Sequence, residues 1–260
     1  MRTLCLLVAA VCVLCPAATS LFAGNHPLSV EDRRKMNKDL DETIQRLTES
    51  IRTDPKNVSF YSRRGDALFF RGRFQQSVAD YEKMVELNPQ LDASHWRRGI
   101  AWFYAGQFKQ AAHQFEIYNT FDNIDRENGI WRFFSQTKGY GLKQARQGLL
   151  KYQKVDRQPF PAVYKLFEEK LTPDEILAQI AKADIDKIER ERRLFYAELY
   201  IGLNYEIHGK PQPAVEHLRK ATANNWGRSA GFGANYMWHV GRLHYELLTA
   251  RIGKLKHKSQ

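Results

Sequence analysis

The chain has 260 residues, with 40 lysines and arginines against 29 aspartates and glutamates, and its formal net charge is +11. This length suffices for one or two domains with a substantial core. The basic residues are scattered, apart from a lysine-rich tail, which favours a solvated surface over a nucleic-acid site. All three cysteines precede Pro16, so the rest of the chain must be stable without disulfide bonds.

The first residues have the layout of a secretory signal peptide. Arg2 gives a positive start, an apolar run extends from Leu4 to Leu14, and the small residues Ala18 and Ser20 suit a cleavage site. The run is shorter than the roughly 20 apolar residues of a transmembrane anchor. We therefore expect cleavage after Ser20 and an exported protein, periplasmic or extracellular, for which nucleic acid is not an expected partner.

Lipid attachment is not expected either. A bacterial lipoprotein leader ends in a cysteine that follows glycine or alanine, usually with leucine three residues before the cysteine. Cys12 follows Val11, and Cys15 follows Leu14 and precedes Pro16. Neither context fits, so membrane anchoring is not part of the expectation.

A repeat begins in the next part of the chain. The stretch YSRRGDALFFRGRF starts at Tyr61, and HWRRGIAWFYAGQF starts at His95, 34 residues later. Both carry an arginine pair and two glycines in register. A helix is also predicted before the first copy, from Leu40 to Ile51. A period of this length is typical of a helix-turn-helix unit that stacks on its neighbours.

The repeat resembles the tetratricopeptide family (TPR), in which a glycine and a small residue let the two helices of a unit approach closely. The resemblance departs from the pattern at Met84, Tyr118 and Asn123. It implies an all-α fold, a right-handed α-solenoid of TPR helix-turn-helix repeats with a C-terminal capping helix. The structural repeat positions are Tyr61, Gly65, Gly99, Ala111, Gly202 and Ala214, and Gly72 and Gly106 suit the turns between helices.

The repeats divide the chain into segments. A third unit is predicted mainly in its second helix, through Ala145, Leu149 and Tyr152. A short helix is expected at Val163–Glu169, Thr172-Pro173-Asp174-Glu175 is a capped helix start, and a final helix covers about 234–250. The predicted segments are a signal peptide (1–20), an N-terminal segment with a degenerate repeat (21–57), TPR repeats (58–158), a helical insertion (159–190), a further TPR repeat (191–225), and a capping helix with a basic tail (226–260).

Motifs of enzymatic chemistry are not found in the sequence. It contains no P-loop, HExxH or GxSxG motif, so no catalytic residue, cofactor or metal is expected. The acidic stretch from Asp122 to Gly129 lacks the spacing of a calcium loop and is interpreted as a turn between repeats. His239 and His244 do not share a helix face. A hydrolase would need ionisable side chains clustered in one pocket.

The TPR resemblance also implies a binding groove, because in that family the first helix of each unit lines the concave side. For Phe70 and Phe103, packing between neighbouring helices is as good an interpretation as lining the groove. Trp96 is the residue assigned most firmly to the groove, since His95 already takes the core position. The predicted groove residues are Ser62, Asp66, Phe69 and Phe70, then Trp96, Ile100, Phe103 and Tyr104, then Ile130 and Thr137, with Arg63 and Arg97 at the flanks.

The end of the chain, with NYEIHGKPQPAVEHLRKATANNWG and a closing helix, is similar to the end of the bacterial NlpI-type envelope lipoproteins. That resemblance implies a periplasmic scaffold that brings envelope enzymes and proteases together, often as a homodimer. The expected function is a non-enzymatic adaptor for protein or peptide partners. The alternative is a protein that binds an envelope polymer or carbohydrate, for which aromatic residues and positive charge would also serve.

The leader yields the first prediction. The exported protein should begin near Leu21 and remain soluble without lipid, because the small residues before that position direct cleavage. N-terminal sequencing of the exported product measures the start directly. Recovery of an acylated Cys12 or Cys15 in the membrane fraction would contradict the prediction.

Overall fold

The computed structural model describes residues 26–258, with side chains through Leu255. Within that range the chain forms thirteen α-helices, one 3-10 turn at Pro89–Leu91 and no strand, so the all-α prediction is confirmed. The predicted leader lies outside the described residues. The helices are α1 (Val30–Thr53), α2 (Val58–Phe70), α3 (Phe74–Leu87), α4 (Trp96–Tyr104), α5 (Phe108–Phe121), α6 (Arg126–Tyr140), α7 (Leu142–Gln147), α8 (Phe160–Phe167), α9 (Pro173–Lys182), α10 (Lys187–Ile207), α11 (Pro211–Ala223), α12 (Asn225–Ser229) and α13 (Phe232–Lys258).

Three helical hairpins, α2–α3, α4–α5 and α10–α11, share one close contact. In each, a glycine on the first helix faces a large side chain on the second. A methyl group added to any of these glycines would lie less than 3 Å from that side chain, so the contact requires glycine. The pairs are Gly65 with Tyr81, Gly99 with Phe115, and Gly202 with Leu218. The other repeat positions, Tyr61, Ala111 and Ala214, are buried.

The same three hairpins share one turn. Each turn has a glycine with positive φ, a conformation that costs little only for glycine. The next residue donates its N–H to a carbonyl of the last helical turn, as in a Schellman motif. The turn glycines are Gly72 (φ 72°), Gly106 (φ 78°) and Gly209 (φ 69°), and the hydrogen bonds run from Arg73 to Leu68 (2.9 Å), from Gln107 to Trp102 (2.8 Å) and from Lys210 to Tyr205 (2.9 Å).

The predicted second helix of the third unit is wrong beyond its start. α7 ends at Gln147, and residues 148–159 form no helix. In α6, Phe133 stands 34 residues after Gly99 and packs on Phe167 of α8, with ring centroids 5.7 Å apart, so α8 occupies this face of α6. Instead Tyr152 folds back onto α6, its hydroxyl donating to the carbonyl of Asp125 at 3.1 Å.

Two short helices fill the predicted insertion. α8 begins at Phe160, slightly earlier than expected. The capped start of α9 is confirmed: Thr172 Oγ1 accepts from the N–H of Glu175 at 3.3 Å, and a carboxylate oxygen of Glu175 accepts from the N–H of Thr172 at 2.8 Å. Both α8 and α9 pack against α10.

The last helix differs most from the expectation. α13 is longer than the predicted final helix at about 234–250, and the short helix α12, which was not predicted, precedes it. It packs on α11 and α12 and also reaches back to α2. The Tyr236 ring stacks on Phe69 with centroids 5.0 Å apart, and Arg242 donates to the carbonyl of Phe70 at 2.6 Å. The C-terminal helix therefore links the last hairpin to the first.

None of the helices in residues 26–258 combines the length and apolarity that crossing a membrane requires.

The glycine contacts yield a stability prediction. A methyl group on Gly99 would lie 2.7 Å from Cζ of Phe115, so Gly99→Ala should lower the free energy of unfolding by about 1–3 kcal/mol through overpacking. The control is Gly253→Ala in α13, where an added methyl group would meet no described atom within 4 Å beyond the neighbouring backbone of its own helix. That substitution should be neutral, or stabilising by up to about 1 kcal/mol through helix propensity.

Urea unfolding followed by circular dichroism measures both variants. If Gly99→Ala is as stable as the parent while Gly253→Ala behaves as expected, the close approach of α4 and α5 is refuted.

Candidate functional site

The polar residues predicted for the groove are joined to one another. Arg97 donates to Asp66 Oδ1 at 2.6 Å and to Ser62 Oγ at 3.2 Å, and the Tyr81 hydroxyl donates to Asp66 at 2.6 Å. Desolvation raises the pKa of Asp66, while Arg97 and Tyr81 oppose the rise. These groups satisfy each other inside the protein. Arg63, by contrast, is exposed.

Most apolar residues predicted for the groove are covered, which corrects the expectation of an open aromatic groove. Phe70 stacks on His239 with centroids 3.8 Å apart, and the Tyr104 hydroxyl lies 3.0 Å from Nδ1 of His244. α13 thus covers an aromatic stripe (Phe69, Phe70, Trp96, Tyr104). The physical reason is that a large apolar surface is costly in water unless something covers it. The buried members of the prediction are Phe69, Ile100, Phe103 and Ile130, and Thr137 is half-buried.

Trp96 occupies a different position from its neighbours. It is only partly buried, and its ring meets Tyr236 edge-on at a centroid distance of 5.0 Å. His95 is buried and caps α4 by accepting from the N–H of Arg98 at 3.2 Å. Burial and the nearby arginines lower the pKa of His95 to about 3, so the imidazole is neutral. His95 thus faces the core while Trp96 faces a cavity.

That cavity has a volume of about 290 Å³ and lies between α4, α6, α10 and α13. Its walls are aromatic, and one side carries charged groups. We call it the Trp96 pocket and define it by Trp96, Trp131 and Tyr196 on the walls and by Asp125, Glu127 and Arg157 on the charged side.

The charged side is an ion-pair network around Arg157. Its guanidinium donates to Asp125 at 3.1 Å and to Glu127 at 2.5 Å, lies 3.4 Å from Asp156, and sits over the Phe160 ring at 4.3 Å. Arg157 comes from the irregular segment 148–159. The network therefore fastens that segment to the start of α6.

Two further contacts hold the carboxylates. Asp125 caps α6 by accepting from the N–H of Glu127 at 3.0 Å. The Tyr200 hydroxyl donates to Glu127 at 2.5 Å and accepts from the Trp131 indole at 3.1 Å. Burial raises the pKa of Glu127 to about 7 against the opposing effect of Arg157. Because its pKa is about 7, Glu127 changes its protonation state near neutral pH. Burial also raises the pKa of Asp125.

This cluster meets the condition stated for a hydrolase, ionisable side chains in one pocket. Its carboxylate oxygens are nevertheless committed. Those of Asp125 accept from Arg157 and from the Asn128 amide, and those of Glu127 accept from Arg157 and Tyr200. Because these oxygens already accept hydrogen bonds, the cluster serves to hold segment 148–159 against the start of α6. No group of three or more potential metal ligands is found among residues 26–258.

Sequence reasoning missed Asp125, Glu127 and Arg157 as partners. It interpreted the acidic stretch as a turn, and the turn exists, since Asp122 accepts from the N–H of Ile124 at 2.8 Å. Nothing in the local pattern indicates that Glu127 turns inward to an arginine thirty residues away. The adjacent Asp156 and Arg157, shortly before Pro159, were the sequence signal that could have indicated an ion pair in this loop.

The pocket also holds uncommitted hydrogen-bonding groups. The hydroxyls of Tyr118 and Tyr196, which line it, make no hydrogen bond to any residue that the structure describes. Their pKa values are raised by burial and by the neighbouring carboxylates, so both are neutral phenols. Each of these hydroxyls could therefore donate a hydrogen bond to a bound molecule or accept one from it.

Comparison with known proteins supplies no further assignment: no protein-family model matches the chain, and no curated protein matches its sequence. The site must therefore be interpreted from its geometry.

Glu127 yields a prediction for stability against pH. A carboxyl whose pKa rises on folding, here from 4.5 to about 7, binds its proton more readily in the folded chain. Its stabilising contribution is complete below the unfolded pKa and is lost as pH rises through 7. Lowering the pH from 8 to 5.5 should therefore stabilise the protein through this group by about 2 kcal/mol. The charged and polar groups that face Glu127 in the cluster are Asp125, Asp156, Arg157 and Tyr200.

The measurement is the melting temperature across that pH range for the parent and Glu127→Gln. The slope should become smaller in the variant. Glu82→Gln, which alters an exposed side chain on α3, is the control and should keep the parental slope. Equal slopes for all three proteins would show that Glu127 does not titrate in this range.

Proposed function

We propose that the protein is a non-enzymatic binding protein of the tetratricopeptide type, an α-solenoid adaptor that holds protein or peptide partners. The solenoid is supported by the glycine contact and turn that α2–α3, α4–α5 and α10–α11 share. It is also supported by the packing of successive helices from α1 to α7. Stacked hairpins of this kind form extended binding surfaces.

The binding site that we propose is the Trp96 pocket. The observation that carries this assignment is that Trp96 lines the cavity and is only partly buried, whereas Phe69, Phe70 and Tyr104 of the aromatic stripe do not line it. A partly buried tryptophan at the mouth of a pocket is a common anchor point in protein interfaces.

The partner segment should insert a basic side chain. Asp125, Glu127 and Asp156 surround the guanidinium of Arg157, so the cluster is negative overall even where Glu127 is protonated. An incoming cation would share carboxylate oxygens that already accept hydrogen bonds within the protein. Trp96 and Tyr196 offer aromatic faces against which a cation is attracted. A lysine or arginine would therefore meet both stacking surfaces and negative charge in this pocket.

The cellular setting is proposed from the sequence. The leader pattern supports a location outside the cytoplasm, periplasmic or extracellular. The resemblance to NlpI-type proteins favours envelope enzymes or proteases as partners and a homodimer as the assembly. Neither nucleic acid nor a lipid anchor is part of the proposal.

A second candidate function is binding of an envelope polymer or carbohydrate in the same pocket. The observation that favours it is the combination of aromatic walls with the free hydroxyls of Tyr118 and Tyr196. Sugar rings stack on aromatic faces and need such hydrogen-bonding groups. A pull-down from an envelope extract distinguishes the two functions. The adaptor should retain stoichiometric protein partners, whereas the polymer-binding protein should retain glycan.

The test starts from Trp96→Ala. The variant should weaken binding of the captured partner by thirty-fold or more, corresponding to about 2 kcal/mol, and lower stability by only about 1 kcal/mol. Crosslinking capture from an envelope extract with mass spectrometry identifies the partner, and titration with that partner measures the affinity.

Two matched variants make the result interpretable. Arg63→Ala, at an exposed position beside the groove, should bind like the parent. Trp131→Ala, at a buried ring, should instead lose about 3–5 kcal/mol of stability. If Trp96→Ala melts as early as Trp131→Ala and its folded fraction still binds normally, Trp96 belongs to the core and the site assignment fails.

A further inference from the structure

A second cavity, of about 320 Å³, lies along the C-terminal half of α13. It shares no lining residue with the Trp96 pocket. Most of its surface is apolar, and two cations stand at its edge. We call it the Leu247 pocket and define it by the apolar residues Phe103, Phe108, Leu247 and Leu248 and the cations Lys138 and Arg251.

The two cations share a single carboxylate. Arg251 lies 2.8 Å and Lys138 3.4 Å from the same oxygen of Glu206. Desolvation would raise the pKa of Glu206, but the electrostatic effect of His244, together with the Arg251 hydrogen bond and Lys138, leaves it below its ordinary value, so the carboxylate is ionised. Two positive charges against one negative charge leave the pocket with an excess of one positive charge.

The cations retain free capacity for a ligand. The side chain of Glu206 is only 6% exposed, whereas that of Arg251 is 55% exposed and that of Lys138 is 33% exposed. A guanidinium has five N–H donors and an ammonium three, so both can bind a second carboxylate without releasing Glu206.

The remaining polar pair adds no charge. Burial lowers the pKa of His244 to about 4, so the imidazole that contacts Tyr104 is neutral at physiological pH. The excess positive charge therefore comes from Lys138 and Arg251 alone.

The apolar part of the pocket is open at its edge. Leu247 is 49% exposed, although Leu248 beside it is buried. Phe103 and Phe108 form the opposite wall and contact each other edge-on at 5.4 Å between centroids. An apolar wall with an exposed leucine at the entrance can bury an aliphatic chain as it enters.

We propose that the Leu247 pocket binds an anionic amphiphile, a carboxylate that carries one aliphatic chain of medium length. The chain lies against Phe103, Phe108, Leu247 and Leu248, and the carboxylate pairs with Arg251 and Lys138. The volume is at the lower end of the range for ligand pockets, which favours a short chain over a complete membrane lipid. A peptide terminus fits less well, because its amide groups would lack partners against apolar walls.

Isothermal titration with decanoate, below the concentration at which it forms micelles, tests the proposal. Decanoate should bind in a saturable way and at least tenfold more tightly than decylammonium or decanol, which share its chain but lack its negative charge. Shortening the chain to octanoate and hexanoate should weaken binding by about fourfold for each methylene that leaves the apolar part.

Variants at the pocket separate the head group from the chain. Arg251→Gln and Leu247→Gln should each weaken decanoate binding by about tenfold, and both positions are exposed enough to keep the fold. The matched controls are Arg219→Gln on α11 and Phe121→Gln on α5, which remove a charge and an exposed apolar ring outside this pocket. Both controls, and Trp96→Ala, should bind decanoate like the parent.

Several results would overturn the proposal: no saturable binding, equal affinity for decylammonium, or unchanged affinity in both pocket variants. A short acetylated peptide that ends in leucine and binds more tightly than decanoate would also overturn it, since the pocket would then recognise peptide termini. The outcome does not depend on the Trp96 pocket, so it leaves the proposed adaptor function to its own test.

Discussion

The packing of α13 against the aromatic stripe is the interaction on which the rest of the structure depends. Tyr236 stacks on Phe69 and meets Trp96 edge-on, and His239 stacks on Phe70. Burying one large apolar side chain contributes about 1.5–3 kcal/mol, and paired aromatic rings contribute about 0.5–1.5 kcal/mol more. The same packing joins the last hairpin to the first, so it stabilises the whole helical array.

α13 also determines which parts of the aromatic stripe a partner could reach. In the tetratricopeptide arrangement that we propose, this side would present an open surface, but here the chain's own helix covers most of the stripe. Two cavities remain along α13, the Trp96 pocket and the Leu247 pocket. They differ in charge, since the first has an excess of carboxylates and the second an excess of cations. The two pockets along α13 should therefore favour ligands of opposite charge.

The network around Arg157 shows how an irregular segment becomes ordered. Residues 148–159 form no helix, yet Arg157 and Asp156 attach them to the start of α6. Asp156 accepts from the N–H of Arg126 at 2.8 Å. Partly buried carboxylates are costly unless they are paired and hydrogen-bonded. This cluster meets that requirement, although the raised pKa of Glu127 shows that desolvation is only partly offset.

The sequence by itself determined the features that act over short distances. The hairpins, the turn glycines Gly72 and Gly106, and the capped start of α9 were predicted, because each depends on residues within one unit. The third unit was predicted wrongly beyond the start of its second helix, because Phe133 of α6 packs on α8, which lies outside that unit.

Only the tertiary structure decided which surfaces stay accessible. Tyr236 contacts Phe69, more than half of the chain away in sequence, and Arg157 contacts Glu127 from a segment without regular structure. A residue pattern reports the period of a helix but not which distant helix will cover it. For that reason Phe69 and Ile100 were assigned to an open groove although they are buried. Burial is a property of the whole packing, because it depends on every helix that can reach a given face.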